Sequence, residues 1–158
     1  MMSAIEASLA AAATRVGDLT PLVYDRLFTH LPQMRAEFWR DRSGSIRGEM
    51  LARAFEALLD FAGPRLFSPA YFRTELVTHD AYGIPRDLFA TFFAAIAETI
   101  EAACGDEWTP AMAAGWRGLL ADIDAELATV PGLDAPERLL DPATILPTGA
   151  GGIAFPHR

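Results

Sequence analysis

Apolar residues recur along this chain with a helical period. Met50, Leu51, Phe55, Leu58 and Leu59 form one stripe. Phe89, Phe92, Phe93, Ile96 and Ile100 form a second, and Trp116, Leu119, Leu120, Ile123 and Leu127 a third. Residues three, four and seven positions apart share one face of an α-helix, so each run reads as an amphipathic helix with a wide buried face. Apolar–polar alternation and Asn-Gly or Gly-Gly turns are scarce before the C-terminal stretch, which argues against strands.

Boundary signals fall between these stripes. Ser3 with Glu6 reads as a capping box. Thr20-Pro21, Ser68-Pro69 and Thr109-Pro110 each place an N-cap before a first-turn proline, and Pro85 followed by Asp87 marks another start. Tyr82-Gly83 is a stop, because glycine accepts the left-handed conformation that ends helices. The pattern predicts helices near 3–15, 21–31, 46–62, 69–80, 85–103 and 110–129, with a short helical turn near 32–37. The expected fold class is all-α. The polar stretch 40–48, with Gly44 and Gly48, reads as a loop or a frayed helix start. From Pro131 the composition shifts to Pro, Gly and short apolar pieces, where Asp134 and Glu137 are spaced to cap one short helix. A body over 1–130 and a tail over 131–158 are the expected parts.

Composition narrows the function. The 158 residues suit one domain, and the 51% hydrophobic content is enough for a core. The formal charge is -8, and all 13 basic residues are arginine. An acidic chain without a basic run points away from nucleic acid and from an anionic membrane surface. Segment Ser8–Ala13 is Ala-rich but follows Glu6, lacks a basic leader and is too short for a signal core or a membrane span; it reads as helix. Cys104 is the lone cysteine, so no internal disulfide is expected and a reducing cytoplasm is the default location.

Chemistry-bearing motifs are few. No HExxH, CxxC, GxSxG or Gly-rich phosphate loop occurs. The histidines are His30, His79 and His157, too few and too scattered to cage a bare ion, so one ligand to a large cofactor is the economical metal reading. His79 follows Phe72 and Leu76 on one helical face that is apolar apart from the imidazole. Such an imidazole suits the axial ligand of a haem iron, although taken alone a histidine so placed is more often structural. His30 falls at a helix end, where a cation suits the dipole, and reads as structural. Cys104 reads as a buried thiol.

Order and spacing add a family resemblance. Val23-Tyr24-Asp25-Arg26-Leu27-Phe28, then Pro32, then Phe38-Trp39, resembles the opening helices of bacterial globins. The run His79-Asp80-Ala81-Tyr82-Gly83-Ile84 resembles the proximal segment of single-domain bacterial globins and of the globin part of flavohaemoglobins. Phe89–Ile100 and Trp116–Leu127 resemble the last two long globin helices. The resemblance covers about residues 3–130 and implies a globin fold of six or seven helices around a haem pocket. It makes His79 the proximal ligand and Phe38 the residue stacked on haem. Tyr24 becomes a distal hydroxyl donor, Leu51 the apolar wall over the iron, and Ile84 a contact beneath the haem. Arg47 falls where the family places its distal gate residue, and a one-residue shift of register would put Gly48 there. Each role has a plainer rival. Tyr24 can be a buried aromatic whose hydroxyl reaches a carbonyl. Arg47 can be exposed, or can pair with a haem propionate. The Phe-rich stripe over 89–93 is core first and haem contact second.

Departures from the family matter. Flavohaemoglobins polarise the proximal histidine with a Glu and a Tyr and continue into a reductase. Here Phe89 stands where that Tyr would be, and Leu127 and Thr129 stand near the place of the Glu. Thr78 precedes the ligand in place of the usual Lys. His79 is therefore expected to donate its other ring proton to a backbone carbonyl. The resemblance implies reversible binding of a diatomic gas, oxygen or nitric oxide, with nitric oxide detoxification needing a separate reductase. Two other readings stand beside it. One is a gas or redox sensor that signals through protein contacts, with a homodimer through the last two helices at Gly115, Gly118, Ala111, Ala113 and Ala114. The other is a haem-free globin-like interaction module.

Overall fold

The computed structural model describes residues 2–132. The tail beyond them, with Asp134, Glu137 and His157, lies outside the described residues. Within 2–132 the chain is all helix and loop: α1 (Ala4–Val16), α2 (Thr20–His30), a 3-10 stretch (Pro32–Phe38), α3 (Ser45–Ala62), α4 (Ser68–Ala81), α5 (Arg86–Cys104), a 3-10 turn (Gly105–Glu107) and α6 (Pro110–Ala128). The expected all-α class and the helix positions hold to within a residue or two.

Some of the expected caps form and others are replaced. The Ser3 hydroxyl accepts from the Glu6 N–H while the Glu6 carboxylate accepts from the Ser3 N–H, completing the capping box. Thr109 accepts from the Met112 N–H as expected. Thr20 and Ser68 do not act as N-caps; each lies inside its helix, and an aspartate upstream takes the role. Asp18 accepts from the Thr20 N–H. Asp60, near the end of α3, accepts from the N–H groups of Leu66, Phe67 and Ser68 at 3.0, 3.1 and 2.8 Å. A carboxylate has two oxygens and about four acceptor sites, twice those of a hydroxyl, and here it ties α3 to the start of α4 through three N–H groups.

Helix α5 packs against α1, α2, α4 and α6. It is long and apolar enough to cross a membrane by composition, but its Phe93, Ile96 and Ile100 are buried in the centre of the bundle. Phe72 of α4 lies edge-on to Phe61 of α3 and Phe93 of α5, each with ring centroids 5.3 Å apart. Between α1 and α6 the buried Trp116 indole donates to the Ser8 hydroxyl at 2.9 Å, and Ser8 donates to the Ile5 carbonyl. Gly115 faces α1, where an added Cβ would lie 3.6 Å from the Ala4 Cβ, so α1 already covers this side of α6. Arg86, opening α5, donates to the carbonyls of Leu127, Val130 and Pro131 and holds the end of α6.

The stripe over α3 needs one correction. Leu51 and Leu58 are buried, but Leu59 is exposed, and Ala54, Ala57 and Phe61 complete the buried face. Alanine carries little hydrophobic weight, so counting large residues placed the stripe off its true axis.

Burial alone would raise the Asp60 pKa, but the hydrogen bonds from Ser68, Leu66 and Phe67 outweigh it and bring it from 3.8 to about 2. A carboxylate whose pKa falls on folding stabilises the fold above its unfolded pKa and loses that contribution as pH falls toward the folded value. Urea unfolding of the wild type is expected to weaken between about pH 4 and pH 2. Asp60→Asn should be less stable at pH 7 and flatter across that window; equal slopes in the two proteins would show that Asp60 is not the group responsible.

Candidate functional site

A cavity of about 210 Å³ opens between α2, the 3-10 stretch and α3 on one side and α4 and α5 on the other. Its wall is mostly aromatic and aliphatic, and its polar side chains are Tyr24, Glu49, Arg53, Tyr71, Glu75 and His79. Of the residues expected at a site, Tyr24, Phe38, His79 and Ile84 line it together; Arg47 and Leu51 do not.

The α4 side is built around one helix end. Gly83 takes φ +81°, conformational space that a side chain disfavours, and lets the chain reverse. The Gly83 N–H donates to the Asp80 carbonyl and the Ile84 N–H to the His79 carbonyl, at 2.9 and 3.0 Å. His79 and Ile84, five residues apart, thereby reach the same cavity. Nδ1 of His79 lies 2.7 Å from the Glu75 carbonyl oxygen, which can only accept. The ring proton of the neutral imidazole is therefore on Nδ1, and Nε2 carries a free lone pair. This is the backbone partner that the sequence led us to expect. The Phe89 ring packs 5.1 Å from the imidazole, centroid to centroid.

The apolar face expected for His79 differs in detail. Phe72 and Leu76 turn into the core, while Tyr71, Glu75 and His79, at successive steps of four, face the cavity. Burial and then the Glu75 charge push the Tyr71 phenol up to about 12, so it stays protonated.

On the opposite wall, Tyr24 is 2% exposed and its ring packs against Phe28, Phe38 and Phe92 at 6.0, 5.4 and 5.7 Å. Its hydroxyl is buried and has no hydrogen-bond partner among the described residues. The expected rival, a hydroxyl bonded to a carbonyl, is absent. Burial raises the phenol pKa, with Arg47 pulling weakly the other way, so the group remains a proton donor. An unpaired buried hydroxyl costs about 1–3 kcal/mol, and each aromatic contact contributes about 0.5–1.5 kcal/mol. The three ring contacts are enough to hold Tyr24 in place against that cost.

The α3 register corrects the expectations for Arg47, Gly48 and Leu51. Asp41 is buried and accepts from the N–H groups of Ile46 and Arg47, which fixes how α3 begins. The Arg47 guanidinium folds back on the same aspartate, with Nε 3.0 Å from its carboxylate and another N–H donating to its carbonyl. Burial alone would raise the Asp41 pKa, but these bonds lower it. Arg47 is thus committed to the loop, and Leu51 is buried in the core. The face turned to the cavity carries Ile46, Glu49, Met50, Arg53 and Ala54. Arg53 is exposed and makes no ion pair among the described residues, which leaves it available to an acid at the cavity mouth.

These features suit a haem. One imidazole at the cavity offers a lone pair, a buried tyrosine with an orphaned hydroxyl shares the cavity lining, and an exposed arginine without an ion pair among the described residues lines it too. No cluster of three or more His, Cys, Asp or Glu side chains occurs among the described residues, so the donor set suits a metal carried by a cofactor better than a bare ion. The cavity is smaller than the roughly 300–1,000 Å³ of most drug-sized ligand pockets. Uptake of a planar macrocycle therefore needs side chains to move, and the flexible thioethers of Met34 and Met50 stand in its wall.

Met34, Glu49, Met50, Arg53, Tyr71 and Glu75 are among the lining residues that the sequence had not marked for the site. Glu75, four positions before His79, was the one within reach of a spacing argument. The family model described as Globin matches residues 22–127, more than half of the chain. No curated protein and no solved structure matches.

An orphaned hydroxyl destabilises the empty protein. Tyr24→Phe is expected to raise its unfolding free energy by about 1 kcal/mol in denaturant titration. A loss of that size would mean that the hydroxyl has a partner in the fold.

Proposed function

The chain belongs to the globin family, and on that premise we propose that it is a haem protein that reversibly binds a diatomic gas, oxygen or nitric oxide. The observation that carries this reading is the pairing across one cavity of His79, its Nδ1 tied to the Glu75 carbonyl, with the orphaned hydroxyl of Tyr24. Haem, when bound, would supply an iron atom able to take a small gas molecule. His79 holds the group through Nε2, Phe38 and Ile84 pack against it, and Arg53 pairs with a propionate at the mouth.

The remaining residues tune the ligand. Tyr24 donates a hydrogen bond to a gas molecule that carries partial negative charge, and so favours oxygen over the less polar carbon monoxide. Met50 and Ala54 offer no N–H or O–H, so the donors on that wall are the buried Tyr24 and the exposed Arg53. Discrimination by one buried hydrogen bond is worth about 1 kcal/mol or more.

The nearest functional analogy remains the single-domain bacterial globins. Nitric oxide detoxification is the chemistry that fits, with electrons from a separate reductase. A buried, unpaired Cys104 thiol is compatible with a reducing cytoplasm.

The test is a haem titration of the purified protein followed by oxygen release measured by stopped flow. One equivalent of haem should bind, and oxygen should leave Tyr24→Phe roughly tenfold faster than the wild type. A folded protein that takes up no haem would overturn the reading, and an unchanged release rate would remove Tyr24 from it.

A further inference from the structure

On the reading that haem binds through His79, we propose that the Glu75 carboxylate polarises that ligand, acting with its own backbone carbonyl to make the imidazole a stronger electron donor. One residue presents two oxygens to the same nitrogen: the carbonyl at 2.7 Å and a carboxylate oxygen at 3.7 Å. The carbonyl takes the Nδ1 proton. The carboxylate is too far for a good hydrogen bond and acts as a charge. Negative charge at Nδ1–H shifts electron density through the ring toward Nε2.

Three features make this charge effective. The Glu75 side chain is 31% exposed and that of His79 21%, so water screens the pair less than it would on an open surface. Glu75 makes no ion pair with an arginine among the described residues; Arg73, on the same helix, is taken by Glu126, and Arg53 lies on α3. The C-terminal end of α4 adds partial negative charge of the same sign at His79. The family's carboxylate from the last helix is missing here, since Leu127 and Thr129 stand near its place, and the helix that bears the histidine supplies one instead.

A more electron-rich ligand favours ferric over ferrous iron. Glu75→Gln removes the charge and keeps the backbone carbonyl that orients the ring, so Glu75 is a positioning and tuning residue with a clean variant. In the haem-loaded protein, Glu75→Gln should raise the ferrous-to-ferric ratio at fixed potential up to tenfold, which is 59 mV for a one-electron couple. The iron–histidine stretch in the resonance Raman spectrum of the ferrous form should move to lower frequency. Glu75→Asp, which keeps the charge but draws it back, should fall between wild type and Glu75→Gln in both readouts. Unchanged potential and stretch in Glu75→Gln would overturn this proposal while leaving haem binding by His79 intact. A potential shift with an unmoved stretch would also overturn it, because general field effects do not pass through the ligand. Failure of the wild type to take up haem would overturn both readings together.

Discussion

Helix α3 is held at each end by a buried carboxylate, and the site depends on that. Asp41 receives the first N–H groups of α3 and the Arg47 guanidinium. Asp60, near the other end, receives the N–H groups that open α4. The first anchor sets the rotation of α3 about its axis, and so decides that Met50 and Ala54 face the cavity while Leu51 enters the core. The second sets where α4 starts, and with it where His79 joins the cavity wall. Charge-assisted bonds to backbone N–H groups are stronger than neutral ones and directional, which suits them to fixing register. Apolar packing then holds what these bonds align.

The cavity between those helices is unusual in its polar accounting. Buried polar groups are almost always paired. His79 obeys the rule at Nδ1, which leaves Nε2 with its lone pair; Tyr24 breaks it outright. An orphaned hydroxyl beside a cavity is costly when nothing completes it and becomes useful when a bound group supplies its partner. Family membership says which group is expected, and the chain's own residues explain why it would be retained.

Most of the fold was legible because it rests on local rules. The helical stripes, the Ser3–Glu6 capping box, Thr109 and the Gly83 stop all act within a few residues. The errors arise where one side chain outcompetes another for the same backbone or pocket. Thr20 and Ser68 looked like N-caps, yet aspartates upstream outcompete them, and for Ser68 the rival is Asp60, eight positions away. Arg47 fell where the family places its gate residue, but Asp41, six positions upstream, captures it. Leu51 outweighed Ala54 on any hydrophobic scale, although rotation, not size, decides which faces the cavity. His79 was legible through its neighbours in sequence, Gly83 and Ile84, which create the turn it needs. Glu75 escaped because the search for a carboxylate followed the family's pattern to the last helix and not the preceding turn of α4.

The central claim is that His79 Nε2 is the point of attachment for the cofactor. His79→Gly leaves a gap shaped for imidazole and tests it directly by absorption spectroscopy of the haem-loaded protein. The account predicts a perturbed Soret band in the variant and recovery of the wild-type spectrum, including its shift with carbon monoxide, when free imidazole is added. A variant that keeps the wild-type spectrum without imidazole would contradict it, since some other residue would then hold the iron.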